Sequence, residues 1–200
     1  MKLKQLTFPA ALPVNLVSVK AHLRIENDET AFDDMLADYI RTAAEYVRAE
    51  THLELIETSY TGYWDNWPRC STLNLPLWPI SSVTIVKYLN TAGVETTLTG
   101  LQADLVSCPA RIRLPATSTD WPDLQDDTLN RVRVTFVAGY GSDSMMVPDM
   151  AKHAIKMLVA HWFRNSETVL VGSASKDIEH AVESMLQLLK HNEFEEFVIQ

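Results

Sequence analysis

Cysteine is scarce in this chain. Cys70 and Cys108 are the only two in 200 residues, and neither has a CxxC partner. That count argues against a zinc ribbon or a disulfide scaffold and predicts two reduced thiols. Basic charge is short as well: 17 Lys and Arg stand against 26 Asp and Glu, for a net charge of −9. Gripping nucleic acid through its phosphates needs a basic footprint, so that class is disfavoured, although an acidic body suits DNA that must pass without sticking. No stretch approaches the ~18 apolar residues of a membrane span, and the opening MKLKQLTFPAALPVNL has no signal-peptide core. The expectation is a soluble protein made in a cytoplasm, with no membrane partner. No G-x-S-x-G elbow occurs, and Gly139-Tyr140-Gly141 lacks the spacing of a dinucleotide or phosphate loop. An enzyme built from this chain needs a site that leaves no local trace.

What is present is pattern. At 46% hydrophobic and 22% charged, the chain can bury one substantial core. The reading is a single α+β domain over 1–190, helical over 15–51, β over 55–137 and helical again over 148–190. A tail over 191–200 is expected to order only on a partner. Asn15 is placed to cap a helix over Leu16–Leu23, with Leu16, Val19 and Leu23 on one face. A second helix is predicted over Thr30–Thr51. Its apolar set is Phe32, Met35, Leu36, Tyr39, Ile40, Ala43, Tyr46 and Val47, and Asp33, Asp34, Asp38, Arg41, Glu45 and Arg48 take the other side.

From about residue 55 the period changes to two. Predicted strands are Ile56–Trp64, Leu73–Leu75, Val83–Leu89, Glu95–Leu98, Asp104–Val106, Arg111–Leu114 and Arg131–Val137. Short strands at this spacing predict an antiparallel module rather than βαβ units. Asn90–Gly93 reads as a hairpin loop with Gly93 left-handed. In the last strand Val132, Val134 and Phe136 share one face, with Arg131, Arg133 and Thr135 on the other. A glycine corner at Gly139 and Gly141 ends it. The next helix, over Pro148–Asn165, starts on Pro148 and Asp149, which suit a helix N-terminus. A small-residue loop at Val171–Ser175 and a helix over Ile178–Leu189 follow. The N- and C-terminal helices are expected to pack together, with the β module inserted between them in sequence.

Candidate chemistry is thin. His153 and His161 lie eight apart on one helix, whereas a helical metal pair favours i,i+4 with an accompanying acid. Polar-face histidines are the ordinary reading, and no metal or cofactor is expected. Asp33, Asp34 and Asp38, and the Asp126-Asp127 pair, could suggest acid–base carboxylates. The first group instead fits the solvated start of a helix. Trp64, Trp67, Trp78, Trp121 and Trp162 could stack bases, but four flank prolines or strand ends, which suits packing at corners. Arg111, Arg113, Arg131 and Arg133 lie in strands, where they could face a polyanion or an acidic partner, or simply water. The helix over 148–165 is apolar over far more than one stripe. Met157, Trp162 and Phe163 are therefore candidate contacts with another helix or subunit, as are Phe194, Phe197 and Ile199 in the tail.

Several of these residues occur in a familiar order. Pro13-Val14-Asn15-Leu16 through Lys20, His22, Leu23 and Arg24 resembles the start of tailed-phage head–tail connector proteins. So do the amphipathic helix that follows, Leu75-Pro76…Pro79-Ile80-Ser81-Ser82-Val83, and Tyr88-Leu89-Asn90 before Gly93. The strongest stretch is Val132–Asn165, with F-V-A-G-Y-G, then V-P, then a helix ending H-W-F-x-N. The resemblance runs to about residue 190. It implies a non-enzymatic adaptor or head-completion protein that forms a ring, commonly of about twelve subunits, under the portal. Such a ring extends the DNA channel and docks the next neck, stopper or tail protein. It also implies a virion location, reached by assembly in a host cytoplasm, with the tail reaching toward the portal. Two other classes stay open on the residues alone. One is a DNA-contacting tail-completion or packaging module using the four arginines; the other is a metal-dependent enzyme using His153 and His161.

Overall fold

The computed structural model describes residues 1–9, 11–115, 118, 120–165 and 174–190, with 174–179 described by backbone alone. Its contacts divide the described residues into two compact units, one helical (within 10–56 and 141–190) and one β (1–9 and within 57–140). The architecture is α+β, with the β module inserted in sequence between two helical segments that pack on each other.

In the helical unit, α1 spans Leu16–Leu23 as expected, and Asn15 Oδ1 accepts the Val17 N–H at 2.9 Å. This side-chain cap satisfies one of the orphan donors of the first turn. The helix stops at Arg24 in the left-handed region (φ 62°), whose N–H returns to the carbonyls of Ala21 and Lys20. The second helix, α2, covers Asp33–Thr51. It begins three residues later than predicted, because Thr30–Phe32 form a turn in which Asp33 N–H donates to Thr30 O. Leu36, Ile40, Ala43 and Val47 are fully buried, while Phe32 and Tyr46 at the ends of the predicted apolar set remain partly exposed.

Next, α3 spans Asp149–Arg164 and α4 spans Ala174–Leu189. Ala174 and Ser175, expected in a loop, are already helical, since small residues do not oppose a first turn. The rest of that predicted loop, 171–173, and the tail at 191–200 lie outside the described residues. Helix α3 is the hub, packing on α1, α2 and α4. That accounts for its broad apolar surface, of which Ala151, Ala154, Ile155, Leu158 and Val159 are buried.

In the β unit, the strands are β1 Lys2–Gln5, β2 Thr58–Trp64, β3 Thr72–Asn74, β4 Ile80–Leu89, β5 Glu95–Leu98, β6 Gln102–Asp104, β7 Arg111–Arg113 and β8 Val132–Ala138. They form a five-stranded sheet ordered β1-β2-β8-β4-β5 and a three-stranded sheet ordered β3-β7-β6, with all pairs antiparallel. One core joins both sheets: Tyr60, Val86, Val132, Val134 and Phe136 from the larger, Leu73 and Ile112 from the smaller. Strand β8 is central and alternates buried with half-buried along its length, matching the predicted face of Val132, Val134 and Phe136. On its other face Thr135 Oγ1 lies 3.0 Å from Thr61 Oγ1 of β2. Strand β4 starts at Ile80 rather than Val83, because two register irregularities against β8 break its alternation. Strand β1 is not among the strands predicted above; pairing with β2 makes it one. The loop after β4 closes at Gly93, whose φ of +75° only glycine adopts without strain.

Candidate functional site

Lys20 is the least expected side chain. It is 3% exposed, and its ammonium reaches Glu29 O at 2.8 Å, Asn27 O at 3.3 Å and Asp33 Oδ1 at 2.5 Å. Two backbone carbonyls accept ammonium protons and the Asp33 carboxylate supplies the countercharge, so the buried charge is compensated. The group ties the end of α1 to the acidic turn and to the start of α2. Asp33, expected on a solvated face, is thereby drawn into a structural pair. The signal was present in the sequence: Leu16, Val19, Lys20 and Leu23 stand at i, i+3, i+4 and i+7, so the lysine occupies a core-facing position.

Among the described residues, the two histidines singled out from the sequence stand apart. His153 faces His22 of α1, with ring centroids 6.3 Å apart and edge-on. The Nδ1 of His161 lies 3.3 Å from the Asn165 side-chain amide, at the end of its own helix. Among the described residues, no group of three or more His, Cys, Asp or Glu could hold an ion. Burial, then the charges of His153, Lys156 and Arg164, hold His22 below its ordinary pKa. The field there is positive. Cys70 and Cys108 are free, and no described helix is long and apolar enough to cross a membrane.

The four arginines fall on two different sheets. Arg131, just before β8, donates to Asp65 O at 2.6 Å, to Gln125 O at 2.5 Å and to the Asn66 side chain. It anchors two loops. Arg133 donates to Glu95 Oε1 at 2.5 Å and lies over the Tyr63 ring. Lys87, then Arg133, hold the Glu95 carboxyl below the usual range. Arg111 and Arg113 of β7 share a face of the small sheet with Thr72 of β3 and Gln102 and Asp104 of β6, around an open depression of about 380 Å³. There Asp104 accepts from Ser107 Oγ at 2.7 Å and from Arg111 Nε at 2.9 Å. Those bonds, the Ser107 ones first, push its pKa down to about 2.

The aromatic groups are mostly turned on one another. Trp67 and Trp121 stack at 4.5 Å and 10°, with their indole N–H groups bonded to Pro122 O and Cys70 O. Trp162 meets Tyr39 edge-on at 6.0 Å, and Phe163 meets Phe32 at 5.4 Å. Trp162 thus contacts α2 and Phe163 the turn just before it, within the same chain, and Met157 is half-buried. Phe194, Phe197 and Ile199 lie outside the described residues. Sequence reading did not single out Phe8 (84% exposed), Val106 (91%) and Met145 (83%), which stand free at loops.

The class these features define is an α+β scaffold whose buried polar groups hold its own backbone and whose distinctive residues lie at packing faces. Known proteins narrow this further. Residues 14–73 match the model of the phage gp6-like head–tail connector protein family, the stretch that contains Lys20 and Asp33. The fold is shared, over most of its length, with chains in three particle structures. These are the neck of an empty GTA particle computed with C6 symmetry (22% identity, TM-score 0.78), the virion of a native gene transfer agent (GTA) particle (23%, 0.75), and the neck of a native GTA particle computed with C12 symmetry (22%, 0.73). Each match covers 95% of this chain and 95% of the other. No curated protein sequence matches the chain.

Proposed function

We propose that this chain is a structural adaptor of the head–tail junction of a phage-like particle, and not an enzyme. It forms a ring, of about twelve subunits as closed cyclic assemblies allow, against the portal. The ring extends the channel through which DNA passes without specific binding, and it presents a docking surface to the next neck or tail protein. Assembly takes place in the host cytoplasm. The observation that carries this reading is the correspondence over 95% of both chains with a chain of a particle neck, at a TM-score of 0.78. The connector family match over residues 14–73 supports it independently from sequence. The acidic composition agrees with a conduit, since a basic lining would release counterions and hold the duplex. In this reading Met157 and the tail residues Phe194, Phe197 and Ile199 make subunit or portal contacts, and Arg111 and Arg113 face an acidic partner.

The test is electron microscopy and cosedimentation of the full chain with portal rings of the same particle. The expected result is a ring of this protein on the portal's tail-facing side. A chain that neither forms rings nor sediments with the portal overturns the reading.

A further inference from the structure

The acidic excess of this protein is carried by its helical segments and tail, whereas cations and anions balance over residues 1–9 and 57–140 together. One place in the helical unit runs against that sign. His153, Lys156 and Arg164 stand at i, i+3 and i+11 on α3, so they share a stripe, and His22 of α1 faces His153 across a 6.3 Å ring contact. His22, His153 and Arg164 are exposed and Lys156 is half-buried. Among the described residues of the unit, Arg24, Lys156 and Arg164 have no acidic partner, whereas Lys20, Arg41, Arg48, Lys152 and Lys190 are each paired. The pKa of His22 is lowered first by partial desolvation, and the charges of His153, Lys156 and Arg164 add to that in the same direction.

The opposite sign is displayed by α2. Leu36, Ile40, Ala43 and Val47 are its buried side, and α2 packs on α3. Asp34, Asp38 and Glu45, at i, i+4 and i+11, form an exposed stripe on the other side, facing away from α3. Among the described residues only Asp38 of these three has a cation, Arg41, and that pair is largely in water, where it contributes little. One unit therefore carries a cationic stripe and an acidic stripe on different sides. Complementary patches on different sides of one molecule make a heterologous contact, which repeats from copy to copy and gives a ring where its rotation closes.

We propose that the His22–His153–Lys156–Arg164 surface docks the exposed Asp34–Asp38–Glu45 face of α2 of a second copy of this chain. The contact rests on the ring reading above and specifies which faces meet in it. Charge at such a contact sets register and partner choice, and it is screened by salt.

A charge-swap experiment tests it. Variant one is K156E/R164E and variant two is D34K/E45K, with H153E/R164E as a substitute for the first should the half-buried Lys156 resist reversal. Folding of each is checked by circular dichroism. Sedimentation velocity and negative-stain microscopy then follow self-association at about 50 mM and about 500 mM salt, on either side of strong screening. The expected result is self-association that weakens about tenfold or more in each variant and at high salt. It should return when the two variants are mixed, because each then meets a reversed partner. Oligomers that persist unchanged in both folded variants overturn this contact while leaving the ring reading intact. A wild-type chain that stays monomeric throughout overturns the contact, and the ring reading then stands or falls on the portal experiment. Retention of duplex DNA by the wild type, lost in K156E/R164E, assigns the surface to nucleic acid instead and also overturns the contact.

Discussion

Lys20 and Asp33 form an ion pair at 2.5 Å with the lysine 3% exposed, and the pair joins the end of α1 to the first residue of α2. Two backbone carbonyls of the acidic turn complete the ammonium's shell. Truncating one partner of a buried pair strands the other and is far costlier than deleting a surface bridge. Lys20→Met should destabilise the chain by about 3 kcal/mol, at the low end of that range because Asp33 is partly solvated. The double variant Lys20→Met/Asp33→Asn should recover part of the loss. Urea unfolding of the four proteins in this cycle measures the coupling.

A close approach in β2 makes a second expectation. A Cβ added at Gly62 would run into the six-membered ring of Trp64, two residues along on the same face. The strand is held on both sides, by β1 and β8, so the backbone has little room to shift. Gly62→Ala should therefore cost about 1–3 kcal/mol, the usual penalty of overpacking. The loss should shrink when Trp64 is replaced by Leu. Thermal melts of the single and double variants check this.

Acid should loosen the small sheet. Asp104, whose pKa is pushed down to about 2 by Ser107 and Arg111, binds its proton more weakly folded than unfolded. Its contribution is complete above the ordinary carboxylate range and is lost as the pH falls toward 2. Asp104→Asn should flatten the acid limb of a stability–pH curve between about 4 and 2 without changing its slope near neutrality. Denaturant midpoints taken across that range decide the matter.

His22 acts at a higher pH with the same sign. Its folded pKa lies below the ordinary value, through burial and then the charges of His153, Lys156 and Arg164. Stability from the neutral ring is present above about 6.5 and declines as the pH falls below it. His22→Asn should remove that decline, which denaturant midpoints at pH 7 and pH 5 would detect. An unchanged slope in the variant would refute the assignment.

Much of the fold was legible because its signals are local. Asn15 fixed the start of α1, and the i, i+3, i+4 pattern of Leu36, Ile40, Ala43 and Val47 identified the core side of α2. Strict alternation did the same for β8. What escaped the sequence depends on distant partners. Strand β1 is four residues with no buried side chain, and it exists because β2 offers it an edge. Lys20 was passed over because a lysine is rarely buried, although its spacing placed it on the core side. Arg131 and Arg133 looked alike in sequence to Arg111 and Arg113. Only folding brings Asp65, Asn66, Gln125 and Glu95 around the first pair and leaves Arg113 facing a depression. The pairing of Trp67 with Trp121 is likewise invisible until a long excursion of the chain returns.

The strand order sets a timetable for synthesis. Thr61 and Thr135, hydrogen-bonded across β2 and β8, are 74 residues apart, and β8 is also the inner neighbour of β4. Until residue 138 has left the ribosome, β2 and β4 have no strand between them and their inner edges stay unpaired. The helical unit waits longer, since its hub α3 ends at Arg164 and α4 at Leu189. Nascent chains of this length therefore expose amphipathic helices and open strand edges for most of their elongation, and such edges are where neighbouring chains on one message can join wrongly. A chain stopped after residue 140 would contain every described strand of the sheets while α1 and α2 remained without the helix they pack against.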